Sequence, residues 1–272
     1  MKILIANPAG NITIFVLEPL DDPENTAAFA RAVFSDSRLG AEQLGFVFPP
    51  GPDTALWRLE MAGGEFCGNA ARCFGLYAAR MQGLKGKTGV PVLMSGADKP
   101  VLVEVDVENS RAAAEMPEPV AMTALKFRGH SLPALIFEGI THIIALDLEP
   151  EHDVFYAIKA AAEKMHFDLL IPSPPAVGVM FYNTKTGFMR PAVYVRSIDT
   201  LVFETSCGSG SAALGAWLSR EQQDGTAQYA ITQPGGVIDT AVTKKAGEIT
   251  RITIGGEVKL GAPEEFTWPP EN

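Results

Sequence analysis

Cysteine is scarce in this chain, with three residues in 272. A count so low, and odd, excludes a disulfide-held scaffold and fits a compartment where thiols stay reduced. Long apolar runs are missing too. No stretch approaches the roughly 20 residues that span a bilayer, so no membrane segment or membrane partner is expected. Positive charge is in short supply: 22 Lys and Arg stand against 32 Asp and Glu, a formal charge of −10. The densest basic stretch, Lys85-Gly86-Lys87, is too small to hold a phosphate backbone, so no nucleic-acid partner is expected. The chain has no collagen period, and 47% hydrophobic residues exclude disorder. Met1 to Ile5 lead straight into Asn7-Pro8-Ala9-Gly10-Asn11, which reads as a strand and a turn, not a signal peptide. The expectation is a cytoplasmic protein that handles a small molecule.

Glycine and proline, 26 and 20 residues, are spread along the chain as in proteins of many short strands. Strand-like runs cover 12–16, 90–94, 101–107, 140–146, 192–195 and 251–254. Helical patterns cover 26–34, capped by Asn25 or Thr26, and 153–164. Two further helices begin at cysteines. One opens Cys67-Gly68-Asn69-Ala70-Ala71-Arg72-Cys73, the other Cys207-Gly208-Ser209-Gly210-Ser211-Ala212-Ala213.

Aligned on Cys67 and Cys207, the two segments share the following glycine, Gly75 with Gly215, and Arg80 with Arg220. Gly96 and Gly236 each lie 29 residues beyond their cysteine, in a turn between strand-like runs. The chain therefore reads as two copies of one α+β unit, offset by 140 residues. The join falls near Pro117-Glu118-Pro119, giving a first repeat over 1–118 and a second over 119–272. The extreme C-terminus has the option of packing back on the first.

A helix start carries unpaired N–H groups and the positive end of the helix dipole. It can hold a carboxylate and stabilise a thiolate. Gly68 with Asn69, and Gly208 with Ser209, are small enough for a ligand to reach the backbone. If the repeats face each other, two cysteines approach one carbon from opposite sides. One thiolate then takes a proton next to a carboxylate, and the other thiol returns one to the opposite face. That chemistry needs no cofactor and no metal. Against it stands the reading of a cysteine as a small buried hydrophobe. That reading suits Cys73, which has Ala213 as its counterpart. A Cys67–Cys73 metal pair would lack the remaining ligands of a zinc site.

The motifs resemble those of the diaminopimelate epimerase superfamily of cofactor-independent racemases and epimerases, over essentially the whole chain. Phe66-Cys67-Gly68-Asn69-Ala70-Ala71-Arg72-Cys73 looks like its first catalytic motif and Ser206-Cys207-Gly208-Ser209-Gly210 like its second. Gly10-Asn11 resembles the opening Gly-Asn that contacts substrate. The resemblance implies two pseudo-symmetric α+β domains, each a mixed β-barrel around a central helix, with the active site in the cleft between them. Where diaminopimelate epimerases carry a Glu-Arg pair before the second cysteine, this chain has Ile198-Asp199. Arg58 replaces an Asn, and Thr141-His142 stands near a missing Gly-Asn-Pro-His segment. These departures disfavour diaminopimelate.

The histidine racemase branch, which supplies D-histidine for opine-type metallophores, is more similar. Glu42-Gln43, Gln233-Pro234-Gly235-Gly236, His130 and His142 have counterparts there. The resemblance implies a cofactor-independent amino-acid racemase with histidine as the favoured substrate and Cys67 and Cys207 as catalytic residues. It implies contacts to that substrate from Asn11, Glu42, Gln43, Gly68, Asn69, Gly208 and Ser209. His142, inside an apolar run, also reads as a satisfied core residue, and Glu42 as a solvated loop carboxylate. The alternatives kept open are a diaminopimelate epimerase or small-carboxylic-acid isomerase, and a non-catalytic ligand-binding or redox-sensing protein. The oligomeric state is open, a homodimer being one arrangement.

Overall fold

The computed structural model describes residues 1–18 and 23–268. Contacts divide the chain into two units, Met1–Glu115 with Gly255–Asn272, and Met116–Ile254. The first contains β1 (Lys2–Asn7), β2 (Thr13–Val16), α1 (Pro23–Ser35), β3 (Gln43–Phe48), β4 (Arg58–Met61), α2 (Gly68–Met81), β5 (Lys87–Met94), β6 (Val101–Asp106) and most of β7 (Arg111–Met116). The second contains β8 (Ala121–Phe127), β9 (His130–Phe137), β10 (Ile140–Leu146), α3 (His152–Asp168), β11 (Ala176–Tyr182), β12 (Met189–Val195), β13 (Thr200–Phe203), α4 (Gly208–Leu218), β14 (Gly225–Gln233), β15 (Gly236–Lys245) and most of β16 (Glu248–Glu257). Both are mixed sheets with few helices.

The same pairing rules recur in both units. β1 and β2 are antiparallel, β2 and β3 parallel around α1, and β3 and β4 antiparallel. β9 to β12 repeat this pattern around α3. A parallel pair needs a long crossover, which is why a helix sits at that place in each unit. β2 is buried along its whole length. Ile14 and Val16 face a core containing Phe29 and Val33 of α1, whereas Phe15 packs with Phe74 and Leu76 of α2. Successive side chains of a strand point to opposite faces, so a strand covered on both reads as a continuous apolar run. β10 behaves likewise: Ile143 and Ala145 join the α3 core, leaving His142 and Ile144 on the other face.

α2 and α4 are buried on nearly every side, as their Ala, Gly and Leu content requires. A Cβ on Gly75 would collide with Val103 of β6, and one on Gly215 with Thr240 of β15. The matched glycines thus let each helix lie close against the same part of its sheet.

The predicted strands all appear: β5, β12 and β16 run longer than expected, β10 matches, and β2 and β6 are each one residue shorter. The first helix differs at its start. It begins at Pro23, so Asn25 and Thr26 lie inside its first turn rather than before it; Pro is favoured there because the missing N–H has no partner in a first turn anyway. The side chain of Ile198 lies outside the described residues.

Candidate active site

Each cysteine is the residue immediately before its helix, with backbone angles of −122° and 109° at Cys67 and −122° and 111° at Cys207. In both, the sulfur accepts the N–H three residues on: Ala70 at 3.5 Å and Gly210 at 3.4 Å. A side chain in this position satisfies one of the unpaired first-turn donors. The segments leading in are tied in matching ways. Ser95, in the turn after β5, donates its hydroxyl to the Glu65 carbonyl at 3.0 Å. Gly235, in the turn after β14, donates its N–H to the Thr205 carbonyl at 2.8 Å. Glu65 and Thr205 both lie two residues before their cysteine. The matched turns at Gly96 and Gly236 therefore hold the two cysteine approaches.

In the first unit the sulfur meets a chain of amides. Asn11 is buried in the left-handed region, φ 52°. Its Oδ1 accepts from Asn69 Nδ2 at 3.3 Å and from the Cys67 thiol at 3.9 Å. Asn69 Oδ1 in turn accepts from Arg72 Nε at 3.2 Å. Arg72 is 0% exposed and also donates to the carbonyls of Pro8 (2.5 Å) and Glu257 (3.4 Å). The N–H groups of Glu42 and Gln43 both donate to the Ile12 carbonyl. Asn11, Cys67 and Asn69 are thus in direct contact, with Gly68 between the last two and Glu42-Gln43 tethered one residue from Asn11. Arg72 is the residue that sequence reasoning passed over. Its signal is a guanidinium flanked by Ala70, Ala71, Cys73 and Phe74, on a helix with no polar stripe to receive it.

In the second unit Gln233 holds the backbone of the cysteine. Its Oε1 accepts the Cys207 N–H at 2.8 Å, and its Nε2 donates to Ser211 Oγ at 2.9 Å. Ser211 donates back to the Cys207 carbonyl at 2.7 Å. Ser209 Oγ lies 3.6 Å from Cys207 Sγ and 3.0 Å from His142 Nε2. His142 is in the core as expected, but its buried Nδ1 has no hydrogen-bond partner among the described residues, so it is not satisfied there. Burial pushes its pKa from the usual 6.5 down to about 3, so the ring is neutral. Burial first, and then the negative charge of Glu204, push the Cys207 thiol well above its ordinary range. The Ser209 hydroxyl and the Gly210 N–H pull the other way.

Other candidates fall into ordinary structural roles. Cys73 is 0% exposed in the α2 core, and burial raises its thiol to about 12. Arg58 pairs with Glu60 and lies over the Phe48 ring. Asp199 accepts the Tyr194 hydroxyl at 2.8 Å. His130 is exposed at the start of β9. Arg80 reaches Ser110, whereas Arg220 pairs with Glu221, so those matched arginines share no chemistry. Among the described residues no group of three His, Cys, Asp or Glu is placed to hold a metal ion. No described helix is long and apolar enough to cross a membrane.

Comparison with known proteins places this arrangement. A histidine racemase of Fusobacterium nucleatum subsp. nucleatum is 32% identical over 261 residues, covering 93% of this chain and 91% of its own. One of Staphylococcus aureus is 28% identical over 266 residues, covering 92% and 94%. Among solved structures, a probable proline racemase of Agrobacterium radiobacter K84, with bound carbonate, superposes with a TM-score of 0.66. That match has 13% identity and covers 99% of this chain and 93% of that one. With such relatives along almost its whole length, the chain is an isomerase of the racemase and epimerase class. Residues 1–265 match the family model described as the histidine racemase CntK N-terminal domain, and the chain belongs to that family.

Proposed function

We propose that this protein is a cofactor-independent histidine racemase in which Cys67 and Cys207 are the acid/base pair. The observation that carries the reading is the repetition of one cysteine-capped helix start, with backbone angles agreeing to within a few degrees in two units. The histidine racemase relatives support the substrate, and the racemase-like fold supports the reaction class. The proposal includes two barrel-like domains, each around its central helix, that share one site in the cleft between them. Each contributes one thiol, the arrangement the family resemblance implies.

In this mechanism the substrate carboxylate lies on first-turn N–H groups, beside Gly68 and Asn69 or Gly208 and Ser209. A Cys67 thiolate takes the α-proton of one enantiomer. The C–H electron pair moves into an enolate-like system that the helix dipoles stabilise. Cys207, held as a thiol by burial and by Glu204, delivers its proton to the opposite face and becomes the thiolate. The other enantiomer runs the steps in reverse. Asn11, Glu42 and Gln43 contact the amine or side chain. Histidine is favoured over diaminopimelate because the position of the Glu-Arg pair holds Ile198-Asp199, and the Asp199 carboxylate is engaged by Tyr194.

The test is deuterium incorporation at the α-carbon of L- and of D-histidine, using reduced protein in D₂O. Both enantiomers should exchange and interconvert. Replacing either cysteine by serine should lower racemisation at least about a hundredfold in both directions. Full activity of Cys207→Ser would remove the two-thiol mechanism, and exchange with no amino acid would remove the racemase reading.

A further inference from the structure

The two cysteines have the same backbone setting but different side-chain surroundings. In each unit the residue two places after the cysteine is held by a polar side chain from the second strand region. Asn69 bonds Asn11 just before β2, and Ser209 bonds His142 within β10. The first pair is amide to amide. The second joins a hydroxyl, which can either donate or accept, to an imidazole, which has two neutral tautomers. Which way the Ser209 hydrogen points is therefore set by His142.

The tautomer follows from the surroundings of the ring. His142 faces Gly178, its register partner on the parallel strand β11. A Cβ there would collide with Nδ1, so the glycine leaves the space the ring fills. Phe137 meets the ring edge-on at 5.9 Å. No described group reaches Nδ1, which is buried and unpartnered. A buried N–H without an acceptor is rarer and more costly than a bare lone pair. The proton therefore sits on Nε2, which donates to Ser209 Oγ, leaving the serine hydrogen to point at Cys207 Sγ, 3.6 Å away.

We propose that His142 is a positioning residue for Cys207, acting through Ser209. It orients the serine hydroxyl as a donor to the sulfur at the moment that sulfur becomes a thiolate. The charged group that bears on Cys207 is Glu204, which opposes the thiolate. The Ser209 hydroxyl and the Gly210 N–H are the donors that oppose Glu204. Without an oriented hydroxyl, the buried sulfur would hold its negative charge on one backbone N–H. The proposal rests on Cys207 serving as an acid/base group. Its test reads the thiol without substrate, so its failure and that of the racemase reading are distinguishable.

The test uses the full chain carrying Cys67→Ser and Cys73→Ala, so that Cys207 is the one thiol. The rate of its reaction with methyl methanethiosulfonate is measured at fixed pH, where rate follows the thiolate fraction. Ser209→Ala and His142→Phe should each slow the reaction about tenfold, the size of one hydrogen bond to a charged group. The double variant should be no slower than either, because both remove the same contact. His142→Gln, whose amide reaches as far as Nε2, should restore most of the rate. If His142→Phe does not fold, His142→Asn, whose amide is too short to reach Ser209, must show the loss. An unchanged rate in the His142 variants, or losses that multiply in the double variant, would overturn the proposal. A purely structural role would slow His142→Gln as much as His142→Phe.

Discussion

A single side chain here is governed by its depth and by its place relative to a helix start. Cys67 and Cys73 belong to one helix region, yet one caps α2 and the other is sealed in its core. The sequence separates them correctly because only one of the two sites recurs in the second repeat. Arg72 was not legible in this way. Nothing in its spacing says that a guanidinium is 0% exposed and bonded to Asn69 and two backbone carbonyls. Arg72→Leu should lower stability by about 3 kcal/mol, the scale for removing a buried charged partner. Because Asn69 and Asn11 lose their anchor, activity should fall even in protein that remains folded. Denaturant midpoints and racemisation rates measured together check both halves.

His142 carries a pH signature that also belongs to this scale. Its pKa is about 3 in the folded state against the usual 6.5. The folded state therefore binds fewer protons than the unfolded state in between. The stability that comes from keeping the ring neutral is fully present above about 6.5 and is lost as pH falls towards 3. His142→Gln does not titrate. Its urea midpoint should decline less between pH 7 and pH 4.5 than that of the parent, and equal declines would contradict the buried neutral ring.

At the scale of the element, α2 and α4 show how a helix forms against weak local preference. Gly208, Gly210 and Gly215 each cost α4 about 1 kcal/mol relative to alanine. The helix forms because its start is capped by sulfur and its faces are buried. The sequence pointed to both helices through the repeated Cys-Gly, but it could not say that the glycines are contacts. Gly75→Ala should destabilise by about 1–3 kcal/mol, since the added methyl must displace Val103, and Gly215→Ala should do the same against Thr240. Helix propensity alone would make both substitutions stabilising. The sign of the change in thermal midpoint decides between packing and propensity. The misjudged start of α1 has the same origin: Asn25 and Thr26 are good capping residues, but Pro23 already occupies a helical position two residues earlier.

At the scale of the molecule, the sequence offered the return of the C-terminus to the first unit only as an option. Similarity between repeats assigns residues by what they match, and a terminal segment with no match carries no sign of which core it completes. Gly255–Asn272 groups with the first unit. β1 pairs antiparallel with Lys259–Leu260 and again with Glu264–Glu265. The Met1 amine donates to the Phe266 carbonyl at 3.1 Å. The ring of Phe29, 0% exposed on α1, meets Phe266 and Trp268 edge-on, each at 5.5 Å. The core that β2 and α1 begin is thus finished by the last residues described, after the whole second unit. Trp268→Ala should therefore cost about 1–3 kcal/mol, less than for a fully buried aromatic because Trp268 is half-buried. The loss should be local. Amide hydrogen exchange should quicken in β1, β2 and α1, while β10, β11 and β12 keep their protection. Quickening spread evenly over both sets of strands would mean that the C-terminal segment supports more than the unit whose core it touches.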